Sequence, residues 1–149
     1  MKSIENLTKI YSPDLPSISN NKKILVIADE MGSFLEKLIK KANNNFQISF
    51  CKPYSRTSLL YTEILENKYN LIILTNNCLL RDQIFEISKD IKMAIPKLKI
   101  LVLNGDNNPE FLKNLETLKI DGYLPLPFKQ DLFIKKVHDL TNNIWFGIN

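Results

Sequence analysis

The chain is short of the residues that most catalytic and cofactor chemistry uses. It has one histidine, one tryptophan, two cysteines and four glycines in 149 residues, and each scarcity removes a class of mechanism. No G-x-G-x-x-G and no P-loop occurs, so a nucleotide would have to bind without its usual glycine cradle. The single histidine, His138, stands among Lys135, Lys136 and Asp139; it reads as a solvated helix-face residue, lacking the partners that a base or ligand needs. Cys51 and Cys78 are not in C-x-x-C spacing and each lies beside an apolar run. That placement fits two buried thiols in a reducing cytosol better than a disulfide or a metal pair. No apolar run approaches the length of a membrane span and the first residues lack a signal-peptide core, so no membrane partner and a cytoplasmic location are expected. Nor does one sign of charge dominate: 20 Lys+Arg against 16 Asp+Glu leave +4, scattered along the sequence, which reads as a mixed solvated surface rather than a nucleic-acid face.

What the chain does have is short, unbroken aliphatic runs. A 44% hydrophobic composition at this length suits one domain with a real core. In Asn70-Leu-Ile-Ile-Leu-Thr75-Asn-Asn, four aliphatic residues stand without polar interruption, as in a strand buried on both faces of a parallel sheet. Lys22-Lys-Ile-Leu-Val-Ile27 and Lys99-Ile-Leu-Val-Leu103 read the same way, whereas Phe46-Gln-Ile-Ser-Phe50 alternates and suits a half-exposed edge.

Helical periodicity fills the gaps. Met31, Phe34, Leu35, Leu38, Ile39 and Ala42 mark one helix, with Ser33 and Glu36 offering a capping box. Leu60, Ile64 and Leu65 mark a second, capped by Ser55 or Thr57, and Leu80, Ile84, Ile87 and Ile91 a third that Pro96 stops. Asn108 caps a fourth with Pro109 at its first position and Phe111, Leu112, Leu115 and Leu118 on its apolar side. A short strand at Tyr123-Leu124 and the turn Pro125-Leu126-Pro127 lead to a fifth, carrying Phe133, Val137, Leu140 and Ile144. Strands and helices thus alternate five times over short connections, the pattern of a doubly wound α/β fold with helices on both faces of a parallel sheet. Residues 1–21, with Pro13 and Pro16, read as a lead-in in which Ile4, Leu7 and Ile10 mark a short helix that either docks on a body or partner or stays frayed. Trp145-Phe146, in the tail 145–149, read as packing on the core or marking a junction to a further domain.

The element order, with Lys23-Ile-Leu-Val-Ile-Ala-Asp29-Glu30 and Asp121-Gly-Tyr-Leu-Pro-Leu-Pro-Phe128, resembles the receiver domain of bacterial response regulators, the CheY-like fold. The likeness covers roughly residues 22–142, within a domain expected over 22–144. It implies a flavodoxin-like five-stranded sheet in the order 2-1-3-4-5. Family members act as phosphorylation switches, in which a carboxylate ending the third strand takes a phosphoryl group beside a divalent ion held by acidic residues after the first.

Aligned on Leu71 to Leu74, the acceptor position is Thr75, a poor nucleophile without an adjacent base. Of the acidic pair, the first position is Ala28 and the second Asp29, with Glu30 just beyond, so this pair is vestigial and neither metal nor cofactor is expected. Asn77 matches the position that lends a carbonyl to the ion, Asn104 the Ser/Thr ending the fourth strand, and Leu126 the lysine that neutralises the phosphoryl group. Tyr123 matches the family's switch aromatic and Leu126-Pro127 its cis peptide. The resemblance with these departures implies a non-enzymatic, phosphorylation-independent module that meets a protein partner or a second copy through the last two helices and final strand, by way of Phe111, Lys113, Tyr123 and Lys135. Nucleic acid would be met only through a further output domain. The alternative is a sensor binding a small metabolite or nucleotide in the crevice at the carboxyl ends of the strands.

Overall fold

The structure is a computed structural model that describes residues 22–51, 57–75, 79–105 and 108–142. The lead-in and tail, Ser55, Asn77, Cys78 and Ile144 lie outside the described residues. The elements in order are β1 Lys23–Ile27, α1 Gly32–Ala42, β2 Gln47–Cys51, α2 Thr57–Asn67, β3 Leu71–Thr75, α3 Arg81–Ala94, β4 Lys99–Asn104, α4 Pro109–Leu118, β5 Gly122–Pro125 and α5 Gln130–Asn142. All strand pairs are parallel and the sheet runs β2-β1-β3-β4-β5, the expected doubly wound order.

The middle strands are aliphatic throughout because helices cover both of their faces. Leu25, Ile27, Ile72, Leu74, Ile100 and Val102 point to the layer of α2, α3 and α4, where they meet Ile64, Ile84, Ile91 and Leu115. Their neighbours Ile24, Val26, Leu71, Ile73, Leu101 and Leu103 point the other way, onto Leu35 and Leu38 of α1 and Phe133 and Val137 of α5. Each such side chain stabilises the fold by about 1.5–3 kcal/mol before conformational entropy is counted. At the edge, Phe46 is buried just before β2 while Phe50 within it is exposed, and Cys51 is half-buried rather than fully enclosed.

Three local expectations are corrected. The Ser33/Glu36 capping box does not form, since α1 begins two residues earlier than that box requires, with Met31 at the N-cap and no side-chain cap bond. Leu80 is not on the core face of α3: its backbone is extended at the N-cap and its side chain is exposed, while Gln83 accepts its N–H at 2.8 Å. Leu65 is exposed too, while the adjacent Ile64 is the one that packs into the core. At α4 the expected cap is present: Asn108 Oδ1 accepts the Phe111 N–H at 2.9 Å and Pro109 opens the helix. Asn108→Ala is expected to lower unfolding free energy by about 1 kcal/mol in urea titrations; an unchanged midpoint would mean the cap contributes nothing.

Polar side chains fix the amino end of the sheet. Asn70 accepts the Lys23 N–H on Oδ1 at 2.8 Å, donates its own N–H to the Lys23 carbonyl at 2.8 Å, and accepts the Lys99 N–H on its carbonyl at 3.4 Å. Asp121 Oδ2 accepts from Ile100 N–H at 2.8 Å and from Lys92 Nζ at 2.6 Å. Lys68, following α2, and Lys119, ending α4, both adopt positive φ, at 52° and 59°, the left-handed stop usually given to glycine.

Candidate functional site

A parallel sheet gathers all carboxyl ends of its strands on one side, and here those ends deliver Ala28, Thr75, Asn104 and Leu126. Ile27 pairs with Leu74, Thr75 with Leu103 and Asn104 with Pro125, so Ala28 falls beside Thr75 and the strand ends are level. Thr75 and Asn104 are both completely buried, at 0% exposure.

Strand parity then separates the positions that the sequence grouped together. Thr75 follows Leu74 and turns to the α1/α5 face, the side on which Ala28, Leu103 and Leu126 belong to one apolar cluster. Asn104 turns to the opposite face, where its Nδ2 donates to the Tyr123 hydroxyl at 3.3 Å. Tyr123 is half-buried and packs on the α2/α3/α4 core. This Asn104–Tyr123 pair escaped the sequence reading, because only the pairing of Val102 with Tyr123 reveals that the two side chains share a face.

Backbone bonds close the rim around these residues. The Thr75 carbonyl accepts the Leu79 N–H at 3.2 Å, and the Asn104 carbonyl accepts the Leu126 N–H at 2.9 Å. The Leu126-Pro127 bond is cis, as the resemblance implies. Asp29 and Glu30 are exposed, the carbonyl of Asp29 turning the chain into α1 by accepting the Gly32 N–H at 3.1 Å. Among the described residues no group of three or more His, Cys, Asp or Glu is placed to hold a metal. A buried neutral hydroxyl is a weak nucleophile, and the hydrocarbon of Leu126 offers a phosphoryl group no charge-assisted bond.

On the flank formed by α4, β5 and α5, Pro109, Leu112, Lys113, Ile120, Tyr123 and Lys136 line a depression of about 700 Å³. Lys113 and Lys135 are exposed, and Lys135 Nζ holds Asp139 at 2.8 Å, a bond that keeps this carboxyl below the usual range. Phe111 is a correction. Its ring is 4% exposed and belongs to the core under α4, so it fastens that helix to the sheet and offers no surface to a partner.

No family model matches the sequence, and no curated protein matches it. The fold is nonetheless that of the CheY-like receiver domains of response regulators. The signal receiver domain of a DNA-binding response regulator from Colwellia psychrerythraea 34H superposes with a TM-score of 0.68 at 20% identity, over 83% of this chain and 100% of that one. A CheY-like receiver domain protein from Methanospirillum hungatei JF-1 gives 0.68 at 13% identity, covering 82% and 94%. An orphan response regulator of H. pylori gives 0.64 at 14%, covering 82% and 98%. At these identities the likeness is one of fold. Among the described residues no helix is long and apolar enough to cross a membrane.

Proposed function

We propose that the chain is a receiver-like signalling module that works without accepting a phosphoryl group. In this reading it has no catalytic activity of its own and binds a protein partner, or a second copy of itself, through α4, β5 and α5. The observation that supports it is Thr75: a neutral side chain with 0% exposure ends β3, where the resemblance puts the acceptor, on a face shared with Ala28, Leu103 and Leu126. Phosphoryl transfer needs an oxygen nucleophile, a metal and a cation together, and this arrangement favours none of them. The surface for output is the depression bordered by Lys113 and Tyr123, with Lys135 exposed on α5. Binding of a small metabolite in the crevice draws less support, since Thr75 and Asn104 expose no surface to a ligand.

The test is incubation with acetyl phosphate and Mg²⁺ followed by intact-mass measurement. The mass is expected to stay that of the unmodified chain. A stoichiometric, acid-labile phosphoryl adduct would overturn the reading.

A further inference from the structure

The opposite end of the sheet carries a second feature, independent of the crevice. Beneath the starts of β1, β3 and β4 lies a cavity of about 480 Å³ whose lining includes Lys22, Lys68, Lys97 and Lys99 and no carboxylate. Among the described residues Lys22, Lys68 and Lys97 form no ion pair, and Lys99 shares Asp121 with Lys92, lying 3.8 Å from it against 2.6 Å. The floor is aliphatic, with Ile64, Leu65, Ile95 and Leu98. Three of those four residues, Ile64, Leu65 and Ile95, also line a slot of about 240 Å³ between α2 and α3, walled by Tyr61, Ile91 and Ala94. The one carboxylate in the slot, Asp90, is engaged by the Tyr61 hydroxyl.

We propose that this basin and slot form a docking site for an acidic segment of a partner protein that carries one large aliphatic or aromatic anchor. Lys22, Lys68 and Lys97 bring like charges to one lining with no carboxylate in it, so the arrangement favours an occupant that supplies carboxylates. The slot has the volume of one or two side chains and an apolar wall, and burying an anchor there supplies affinity that rim charges alone do not. Leu65 is 59% exposed, which leaves an apolar side chain ready at the junction of the two spaces. The floor is also set in advance. Asn70 ties the starts of β1, β3 and β4 together, and a preformed surface loses less entropy on binding. Nucleic acid fits less well, because the aromatic ring beside the lysines of the basin, Tyr69, is 6% exposed and cannot stack on bases. A bilayer favours protruding apolar groups, and this surface is concave.

The test uses the full chain labelled with ¹⁵N and a set of synthetic peptides, each a run of Glu and Asp interrupted by a single Leu, Ile, Phe or Trp. Copies with Lys in place of Glu serve as controls. Anchored acidic peptides are expected to bind with micromolar affinity that falls with salt, shifting the amides of Asn70, Ala94, Leu98 and Lys99. Leu65→Glu and the double change Lys68→Glu with Lys97→Glu should each weaken binding about tenfold. Ala94→Phe should do the same by filling the slot. These are exposed positions, so thermal melts are expected to match the parent, and agreement between the Leu65 and Ala94 variants separates a lost site from a lost fold. The proposal is overturned if no peptide shifts these amides up to about millimolar concentration, or if the shifts ignore the three variants. Tighter binding through the same residues of phosphatidylglycerol-rich vesicles or an oligothymidine would also overturn it.

Discussion

Thr75→Asp, which puts a carboxylate at the end of β3, is expected to destabilise the protein by about 3–5 kcal/mol at neutral pH, the cost of burying a charge in place of a neutral hydroxyl. Thr75 has no exposed surface and shares its face with the apolar Ala28, Leu103 and Leu126. The sign of the pH dependence follows. Burial raises the folded pKa of the introduced carboxyl above its unfolded value of about 3.9. The variant's deficit should therefore be small near pH 4 and widen as the pH rises toward the folded pKa, since the unfolded chain ionises first. Urea titrations of parent and variant at several pH values measure this directly. Adding Leu126→Lys should recover part of the loss through a charge-assisted bond. If Thr75→Asp alone were as stable as the parent at pH 7 and gained stability from Mg²⁺, the crevice would be a hydrated ion site and the proposed function would fail.

Phe133→Ala is expected to cost about 3–5 kcal/mol by leaving a cavity in the α1/α5 layer. The Phe133 ring is 0% exposed and stacks on Phe128 at 5.1 Å, which in turn stacks on Phe34 at 6.3 Å. This row of rings joins the first turn of α1 to the turn after β5 and the start of α5. Removing the innermost ring deprives Phe128 of a stacking partner as well as losing its own burial. Leu132→Ala next to it, 50% exposed, should stay within about 0.5 kcal/mol. Chemical denaturation of the two variants is a direct comparison, and a loss below about 1 kcal/mol for Phe133→Ala would show that α5 is not docked as described.

The strands were legible because continuous aliphatic runs have few uses other than a sheet covered on both sides, and α4 was legible because Asn108 and Pro109 mark its start chemically. Errors came where a periodic stripe fixes a helix but not its exact limits or which neighbour faces inward. Leu80 keeps helical spacing to Ile84 yet precedes the helix, and Leu65 is exposed beside the buried Ile64. The resemblance puts Phe111 against a partner, whereas its spacing to Leu115 marks the core side of α4; the periodicity is the better guide. Positions around the crevice came from aligning strand ends, which the register brings level, while the bond from Asn104 to Tyr123 depends on side-chain parity across a pairing that the sequence does not state. Along the chain the lysines are scattered, but Lys22, Lys68, Lys97 and Lys99 each precede or open a strand, and parallel pairing collects all strand starts at one end.

The uninterrupted aliphatic strands have a further cost. In an amphipathic sheet a one-residue slip exposes the greasy side and is rejected at once; in β1, β3 and β4 a slip merely exchanges one aliphatic side chain for another. The core is thus nearly indifferent to alignment, and the phase of the sheet must be written elsewhere. Asn70, reaching from the start of β3 to the Lys23 amide, and Asp121, reaching from before β5 to the Ile100 amide, act as the index marks. Two polar side chains at one rim tell the hydrophobic interior how to line up.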